Sequence, residues 1–469
     1  MAERLHTVII GAGIVGACTA LELLKAGQQV TILEPGPPGG EQAASYGNGC
    51  WLSPMSVIPP ATPGLWKKVP GFLADPLGPL AIRWTYFPKV LPWLLRYLAS
   101  GWTEQRVLRT AVALRALLQG APALHAALAE EAGVGQLIER RGLMYIYPSR
   151  AEFAAEAMAW RIRRQVGIDW IELSADELRQ REPELDRRYG FAALVEEGGH
   201  CRDPGAYVAA LVQLAEAQGA KRVATRATGF RIEAGRLRAV RTEAGEIVAD
   251  RAVIAAGAHS RALAEGAELK RAKATSFRIE AGRLKAVLTD GGAVAADRAV
   301  ICAGAHSKKL AAMAGSDVPL ETERGYHAMV LDSATGPRTP LMPYDGKMSI
   351  TWTDRGLRCA GQVEIAGLDA APNWQRAAIL RDHLLRIFPG LPRDLPAERV
   401  KFWMGHRPSM PDGLPCIGPA RATTDIIHAF GHGHVGLVAA PRTARLVAQL
   451  LGGRPPELDP APYAPARFG

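Results

Sequence analysis

Long apolar runs are missing from this chain of 469 residues. No stretch of about 18 or more consecutive apolar residues occurs, which argues against a simple membrane-spanning helix. Cysteine is scarce. The six residues Cys18, Cys50, Cys201, Cys302, Cys359 and Cys416 are scattered, without a C-x-x-C pair. That spacing argues against structural zinc or a redox pair, and for free thiols in a reducing compartment. Long basic blocks are absent too. The net charge of +10 is spread along the chain, whereas nucleic-acid binding calls for a concentrated basic stripe in a recognisable module. An export signal is not expected. Arg4 precedes an apolar run from Val8, but patterned glycines interrupt it and no small-residue cleavage site follows. The expected location is cytoplasmic. The remaining composition, 48% hydrophobic and 22% charged, is that of an ordinary globular chain long enough for two domains.

The N-terminus carries a complete βαβ opening. Thr7 to Ile10 reads as a buried parallel strand and runs into Gly11-Ala12-Gly13-Ile14-Val15-Gly16. A helical pattern follows through Leu21 and Leu24 to Gly27, and a second apolar run, Val30 to Leu33, ends in Glu34. The first glycine makes the tight turn, the second admits a pyrophosphate, and the third lets helix and strand pack closely. The helix N-terminus offers unpaired N–H groups to the phosphates. Glu34 is placed to accept hydrogen bonds from a ribose and to repel a 2′-phosphate. FAD and NAD both fit this unit.

A distant stretch adds chemistry. Gly405-His406-Arg407-Pro408-Ser409-Met410-Pro411-Asp412-Gly413 sets one arginine beside a proline and between glycines. A planar guanidinium matches two carboxylate oxygens at once, so Arg407 reads as a substrate clamp, with a structural ion pair as the alternative. Two further motifs stand apart in sequence: Ala44-Ser45-Tyr46-Gly47-Asn48-Gly49-Cys50, and Ala429-Phe430-Gly431-His432-Gly433-His434-Val435-Gly436. His432 and His434 lack the i, i+4 helical spacing and carboxylate neighbours of a metal pair, so no metal is expected.

Together these motifs resemble the glycine-oxidase and D-amino-acid oxidase superfamily of flavoproteins, and within it the bacterial D-amino-acid dehydrogenase branch. The resemblance covers nearly the whole chain. It implies non-covalent FAD. Gly11, Gly13, Ile14, Val15, Gly16 and Glu34 would hold its ADP half. Ser45, Tyr46, Gly47, Asn48 and Gly49 would lie beside the pyrophosphate and flavin. Gly433, His434, Val435, Gly436 and Leu437 would line the pyrimidine edge, and Arg407 would bind the substrate carboxylate. Tyr326, in the run Glu321-Thr322-Glu323-Arg324-Gly325-Tyr326-His327, would face the pocket as a second catalytic residue. The chain departs from the family's usual Asn-Ala-Gly at Asn48-Gly49-Cys50, and Cys50 reads as a free buried thiol. The implied reaction is oxidation of an amino acid, above all a D-amino acid. Hydride passes from Cα to flavin N5, and the imine hydrolyses to an oxo acid and ammonia. Glycine, sarcosine or a cyclic imino acid such as hydroxyproline remain alternative substrates. A nicotinamide dehydrogenase and a non-catalytic flavin-binding module remain alternatives of other classes.

The implied architecture is α/β. A discontinuous Rossmann-like FAD-binding domain (1–55, 195–310 and 400–456) joins a substrate domain with a mostly antiparallel sheet (56–194 and 311–399), followed by a tail (457–469). Between 53 and 109 the chain is rich in proline and aromatics, with Trp66, Trp84, Trp93 and Trp102 among Lys67, Lys68, Arg83, Lys89 and Arg96. A cap packing its aromatics inward is the favoured reading, because prolines break an amphipathic stripe. The alternative is a peripheral contact at the inner membrane face, suited to passing electrons to a quinone or other carrier.

An internal repeat interrupts the family pattern. Phe230 to Ser260 and Phe277 to Ser307 match at an offset of 47 residues, and roughly three-quarters of the aligned positions are identical. The family needs one such unit, a small β-meander and a strand returning to the nucleotide sheet. The expectation is that the second copy fills that slot, with Ala303 and Gly304 near the cofactor, and that the first is extruded as a surface hairpin or packed as an added lobe; the opposite assignment is the alternative.

Overall fold

The computed structural model describes residues 6–10, 12–34, 36–40, 45–75, 78, 80–224, 227–233, 236–242, 244–248, 251–254, 274–280, 283–289, 292–295, 299–301, 308, 311–312, 316–421, 423–452 and 454–468. The βαβ opening forms as the pattern dictates: strand His6–Ile10, helix Ile14–Lys25 and strand Gln29–Leu33. These strands lie in a parallel sheet ordered Lys221–Val223, Gln29–Leu33, His6–Ile10, Arg251–Ile254. Helix Pro204–Ala217 packs here through Tyr207, Val208 and Leu211, and the C-terminal helix Gly436–Gly452 through Leu437, Ala440 and Ala444. Asp203 starts the first of these, accepting from Gly205 N at 2.9 Å and Ala206 N at 3.0 Å, with Pro204 at the first position.

The second large sheet is mixed and mostly antiparallel. Among the described residues its path runs Val400–Ser409, Glu321–Leu331, Gly356–Ile365, Ser349–Thr353, Leu341–Pro343, Leu143–Tyr147, Phe191–Val195, Ile171–Leu173. Leu80–Ile82 joins the side of Gly356–Ile365 in parallel. Helix Gln375–Ile387 covers one face, burying Leu380, Leu384 and Ile387 against Ala328, Val330, Leu357 and Cys359. The long strand Glu321–Leu331 is buried over nearly its whole length. Glu321, Glu323, Arg324 and His327 are therefore charged or titratable groups inside the protein, which requires partners for each.

The alanine-rich helical stretch expected from Thr110 to Ala132 is two helices, Glu104–Leu118 and Ala121–Glu131. Gly120, at φ 69°, breaks them in the left-handed region that favours glycine. The combined segment Glu104–Glu131 is long and apolar enough to cross a membrane by composition. This break and the packing of Val107, Leu114, Leu117 and Leu118 in the core make it a folded helix pair instead. The C-terminal tail is docked: Tyr463 is buried and donates to Ala113 O at 2.7 Å, and Arg467 pairs with Asp412 at 2.8 Å.

The repeat corrects one expectation. Both copies form the same three-stranded meander, Ala227–Glu233 with Arg236–Thr242 and Gly245–Val248, and Ala274–Glu280 with Arg283–Thr289 and Gly292–Ala295. The register shifts recur at equivalent positions. Both returning strands are used. Arg251–Ile254, from the first copy, lies parallel to His6–Ile10, while Ala299–Ile301, from the second, lies parallel to Thr423–Phe430. Two near-identical strands can each satisfy an open sheet edge, so neither is forced out.

This arrangement predicts the outcome of deleting residues 230–276, one repeat length. The remaining strand is then available to both neighbours, and the shortened protein is expected to keep bound flavin and melt in one transition. A colourless product would contradict this.

Candidate active site

The nucleotide end of the site is built on the first turn of helix Ile14–Lys25. Gly13 precedes it in extended conformation, and the turn contains no acidic residue. Ile14 and Gly16 are buried and Val15 is half-buried. Ile14 N donates to Ser45 Oγ at 3.1 Å. Glu34 follows the second strand, and its carboxylate accepts from Ala12 N at 2.8 Å and Gly36 N at 3.3 Å. Gly11, Ala303 and Gly304 lie outside the described residues.

The loop from Ser45 to Cys50 links this end to the large sheet. Asn48 donates to Ser45 O and accepts from Cys50 N. Arg358, on strand Gly356–Ile365, is buried and donates to Tyr46 O at 3.0 Å and Asn48 O at 2.9 Å. Arg355 reaches Tyr46 Oη at 3.1 Å while pairing with Asp203 at 3.0 Å. Thr351 donates to Gly49 O at 3.1 Å. His327 Nδ1 donates to Gly47 O at 3.0 Å, which fixes the tautomer because a carbonyl only accepts. Burial, helped by the Arg358 charge, pushes the His327 pKa down to about 3, so the ring is neutral. Trp403 stacks on it with centroids 5.3 Å apart and planes at 17°. The Trp403 ring lies where a Cβ on Gly47 or Gly405 would stand, so both glycines are sterically required.

Arg407 is on strand Val400–Ser409, directly opposite Glu323. Its side chain passes over Gly325, where a Cβ would overlap the guanidinium. It then donates to Gln362 O at 2.9 Å and Gly361 O at 3.3 Å. Those carbonyls lie where the pairing of Glu321–Leu331 with Gly356–Ile365 shifts register, between Arg324 and Tyr326. At this bulge Gln362 has φ 59°, a left-handed value unusual for a residue with a side chain. Arg376 holds the bulge by donating to Gln362 Oε1 at 2.9 Å and Gly78 O at 2.6 Å. Burial lowers the Arg407 pKa from its ordinary value and the nearby Glu323 charge opposes that shift; the guanidinium stays charged.

The C-terminal loop meets the same place. Gly433 N donates to Pro408 O at 2.7 Å, with φ 52° at Gly433. His434 is exposed, Val435 and Leu437 are buried, and Gly436 starts the final helix. His432 is buried, bonded to Thr443 Oγ1 at 3.0 Å, and burial pushes its pKa down to about 4. Among the described residues no three His, Cys, Asp or Glu side chains group as metal ligands do.

Tyr326 is not brought to Arg407. Strand alternation sends Glu323 and His327 to the side of Arg407 and the Ser45–Cys50 loop, and Arg324 and Tyr326 to the other. There the Tyr326 hydroxyl donates to Glu364 Oε2 at 2.6 Å and accepts from Asn373 N at 3.0 Å. Burial, then the bond to Glu364, raises its pKa. The expectation that Tyr326 faces the pocket is corrected by this alternation. His406 also points away, bonded to Thr322 Oγ1 at 3.0 Å. Glu323, His327, Arg358 and Trp403 were missed by sequence reasoning. The available signal was charge inside an otherwise core-like strand.

The donor set fits FAD. First-turn amides of Ile14–Lys25 have no intrahelical acceptors, and the turn itself carries no acidic residue; Glu34 bonds the amide of Ala12 just before it and Ser45 that of Ile14. The chain matches the DAO family, described as FAD dependent oxidoreductase, over residues 6–271 and 260–450. It is 57% identical over 468 residues to a protein named D-amino-acid oxidase from Bradyrhizobium diazoefficiens, covering 100% of both chains. It is 30% identical over 475 residues to D-amino acid dehydrogenase 2 from Ralstonia nicotianae, covering 99% of this chain and 100% of that one. Glycine oxidase from Bacillus cereus shares the fold with a TM-score of 0.60 and 18% identity, covering 97% and 99% of the two chains. L-proline dehydrogenase from P. horikoshii does so at 0.59 and 19%, covering 100% and 98%. The chain therefore belongs to the DAO family of FAD-dependent oxidoreductases.

Proposed function

We propose that this enzyme oxidatively deaminates D-amino acids, with Arg407 as the receptor of the substrate carboxylate. The observation that carries the reading is the placement of that guanidinium: oriented by two main-chain carbonyls and, among the described residues, without a carboxylate partner of its own. The full-length likeness to a protein named D-amino-acid oxidase supports the substrate class. The division into a FAD-binding domain (1–55, 195–310 and 400–456), a substrate domain (56–194 and 311–399) and a C-terminal segment (457–469) belongs to the same proposal.

The residues that would hold FAD are Gly11, Gly13 to Gly16 and Glu34 for the ADP half, Ser45 to Gly49 in the middle, and Gly433 to Leu437 at the C-terminal helix, with Ala303 and Gly304 nearby. When bound, FAD supplies the two-electron acceptor for the bond broken at the substrate Cα. The chain contributes position. Arg407 fixes the carboxylate, Gly325 leaves room for the guanidinium, and the bulge at Gln362 keeps it aimed. The neutral His327 and the Trp403 ring stacked on it form a dry wall beside the Ser45–Cys50 loop. Orientation of this kind is worth several kcal/mol of barrier, up to roughly 7–11 in well-held cases.

A second reading concerns the acceptor, and an observation favours it. The expected inward packing of the 53–109 aromatics holds for Trp93, with Tyr86, Phe87 and Tyr97 packed partly buried around it, but not for the other three tryptophans. Trp66, Trp84 and Trp102 are 51%, 67% and 60% exposed, with Leu91 and Leu95 beside them in sequence. Lys67 lies over the Trp66 ring at 5.4 Å. Aromatics at headgroup level with lysine and arginine on anionic lipid would bring the enzyme to a quinone-type carrier.

Anaerobic mixing with D-alanine is expected to bleach the flavin, and L-alanine is expected to leave it yellow; the reverse would reject the D-specific reading. Admitting oxygen or a soluble quinone analogue afterwards identifies the acceptor by which restores the colour. Gly325→Ala is expected to raise KM for D-alanine at least about tenfold with flavin retained, because its Cβ displaces Arg407 and a charged hydrogen bond is worth about that factor. Unchanged KM would remove Arg407 from the substrate site. On the second reading the protein sediments with anionic vesicles, less with zwitterionic ones, and less again as Trp84→Ala/Trp102→Ala; no sedimentation with either vesicle would dismiss a membrane contact.

A further inference from the structure

Glu323 and Arg407 are cross-strand partners on adjacent strands of the large sheet, so their side chains leave the same face side by side. Glu323 is buried and Arg407 half-buried, and these charges of opposite sign do not close on each other. Arg407 donates to two main-chain carbonyls, and Glu323 Oε2 accepts from Ser409 Oγ at 3.0 Å. Among the described residues no lysine, arginine or histidine forms an ion pair with Glu323. A carboxylate that is only 5% exposed is costly without a cation, and one stands next to it, held away. Two opposite charges kept apart at neighbouring positions form a receptor for a ligand carrying the complementary pair. An α-amino acid is such a ligand, with carboxylate and ammonium on one carbon.

We infer that Glu323 is the receptor of the substrate amino group. The inference rests on the reading of Arg407 as carboxylate receptor. Its Oε1 takes the ammonium, and Ser409 orients the carboxylate through Oε2. Amine oxidation needs a free nitrogen lone pair, and Glu323 is the acceptor of the proton. One N–H bond of the ammonium breaks and an O–H bond forms at Glu323, with no change in total charge or electron count. The titratable and charged groups around Glu323 are Arg407 across the strand pair, Glu321 earlier on its own strand, Tyr97 from helix Phe87–Ser100, and His434 from the loop before helix Gly436–Gly452.

The test uses the FAD-loaded full chain and two ligands of one shape. D-Alanine has the ammonium; isobutyrate has a methyl group in its place. Isobutyrate affinity is read from the perturbed flavin spectrum, without turnover. Glu323→Gln is expected to raise KM for D-alanine about tenfold or more while isobutyrate Kd stays the same or falls. Its log kcat/KM should also rise with unit slope through the neutral range, as only free amine is used, where the parent enzyme is flat. Ser409→Ala, which keeps the charge, should raise KM for D-alanine severalfold with isobutyrate Kd unchanged. This second variant keeps the test intact if Glu323→Gln does not fold. Equal weakening of both ligands by either variant would overturn the proposal, since Glu323 would then only be steadying Arg407. An unchanged KM and a flat profile would overturn it also. Arg407→Ala should weaken both ligands; if it weakens neither, the carboxylate reading is the one that fails.

Discussion

Arg407 is kept off Glu323, and the site depends on that separation. At a separation of 4 Å and an effective dielectric near 20, two such charges attract by about 4 kcal/mol, so an open pair needs opposing anchors. Gln362 O and Gly361 O supply them on one side and Ser409 Oγ on the other. The anchors have their own requirements. The carbonyls lie at the strand's bulge, and Arg376 ties the Gln362 side chain to Gly78 O. Gly325 leaves the space the guanidinium fills, since a Cβ there would displace it.

The same strand connects the proposed substrate side to the proposed cofactor side. His327, two positions beyond Gly325, holds Gly47 O, and Arg358 on the neighbouring strand holds Tyr46 O and Asn48 O. From the other direction, Gly433 N bonds Pro408 O, next to Arg407. The proposed substrate groups and cofactor loops are therefore tied by direct hydrogen bonds to main-chain atoms, with Ser45 completing the link to helix Ile14–Lys25. Distance between a substrate carbon and a flavin is the quantity such ties control, and it is the quantity catalysis by positioning depends on.

What could be read in advance follows from how local each signal is. The N-terminal βαβ unit lies in consecutive residues with hydrophobic period and glycines in step, and it folded as read. Arg407 stood out because proline and glycine flank it. Glu323, His327 and Arg358 did not, since their meaning comes from strand order and from partners far away in sequence. Tyr326 illustrates the limit: alternation says it shares a face with Arg324, but only the neighbouring strands say which face holds the site. The repeat was plain in sequence, yet whether one or two strands enter the sheets depends on open edges that no local pattern displays.

The most direct test of the open pair is a crystal structure of the FAD-loaded protein with a simple carboxylate such as benzoate bound. The account predicts both carboxylate oxygens on the Arg407 guanidinium, with its bonds to Gly361 O and Gln362 O intact and Glu323 still apart. A carboxylate bound elsewhere, with Arg407 closed onto Glu323, would contradict it.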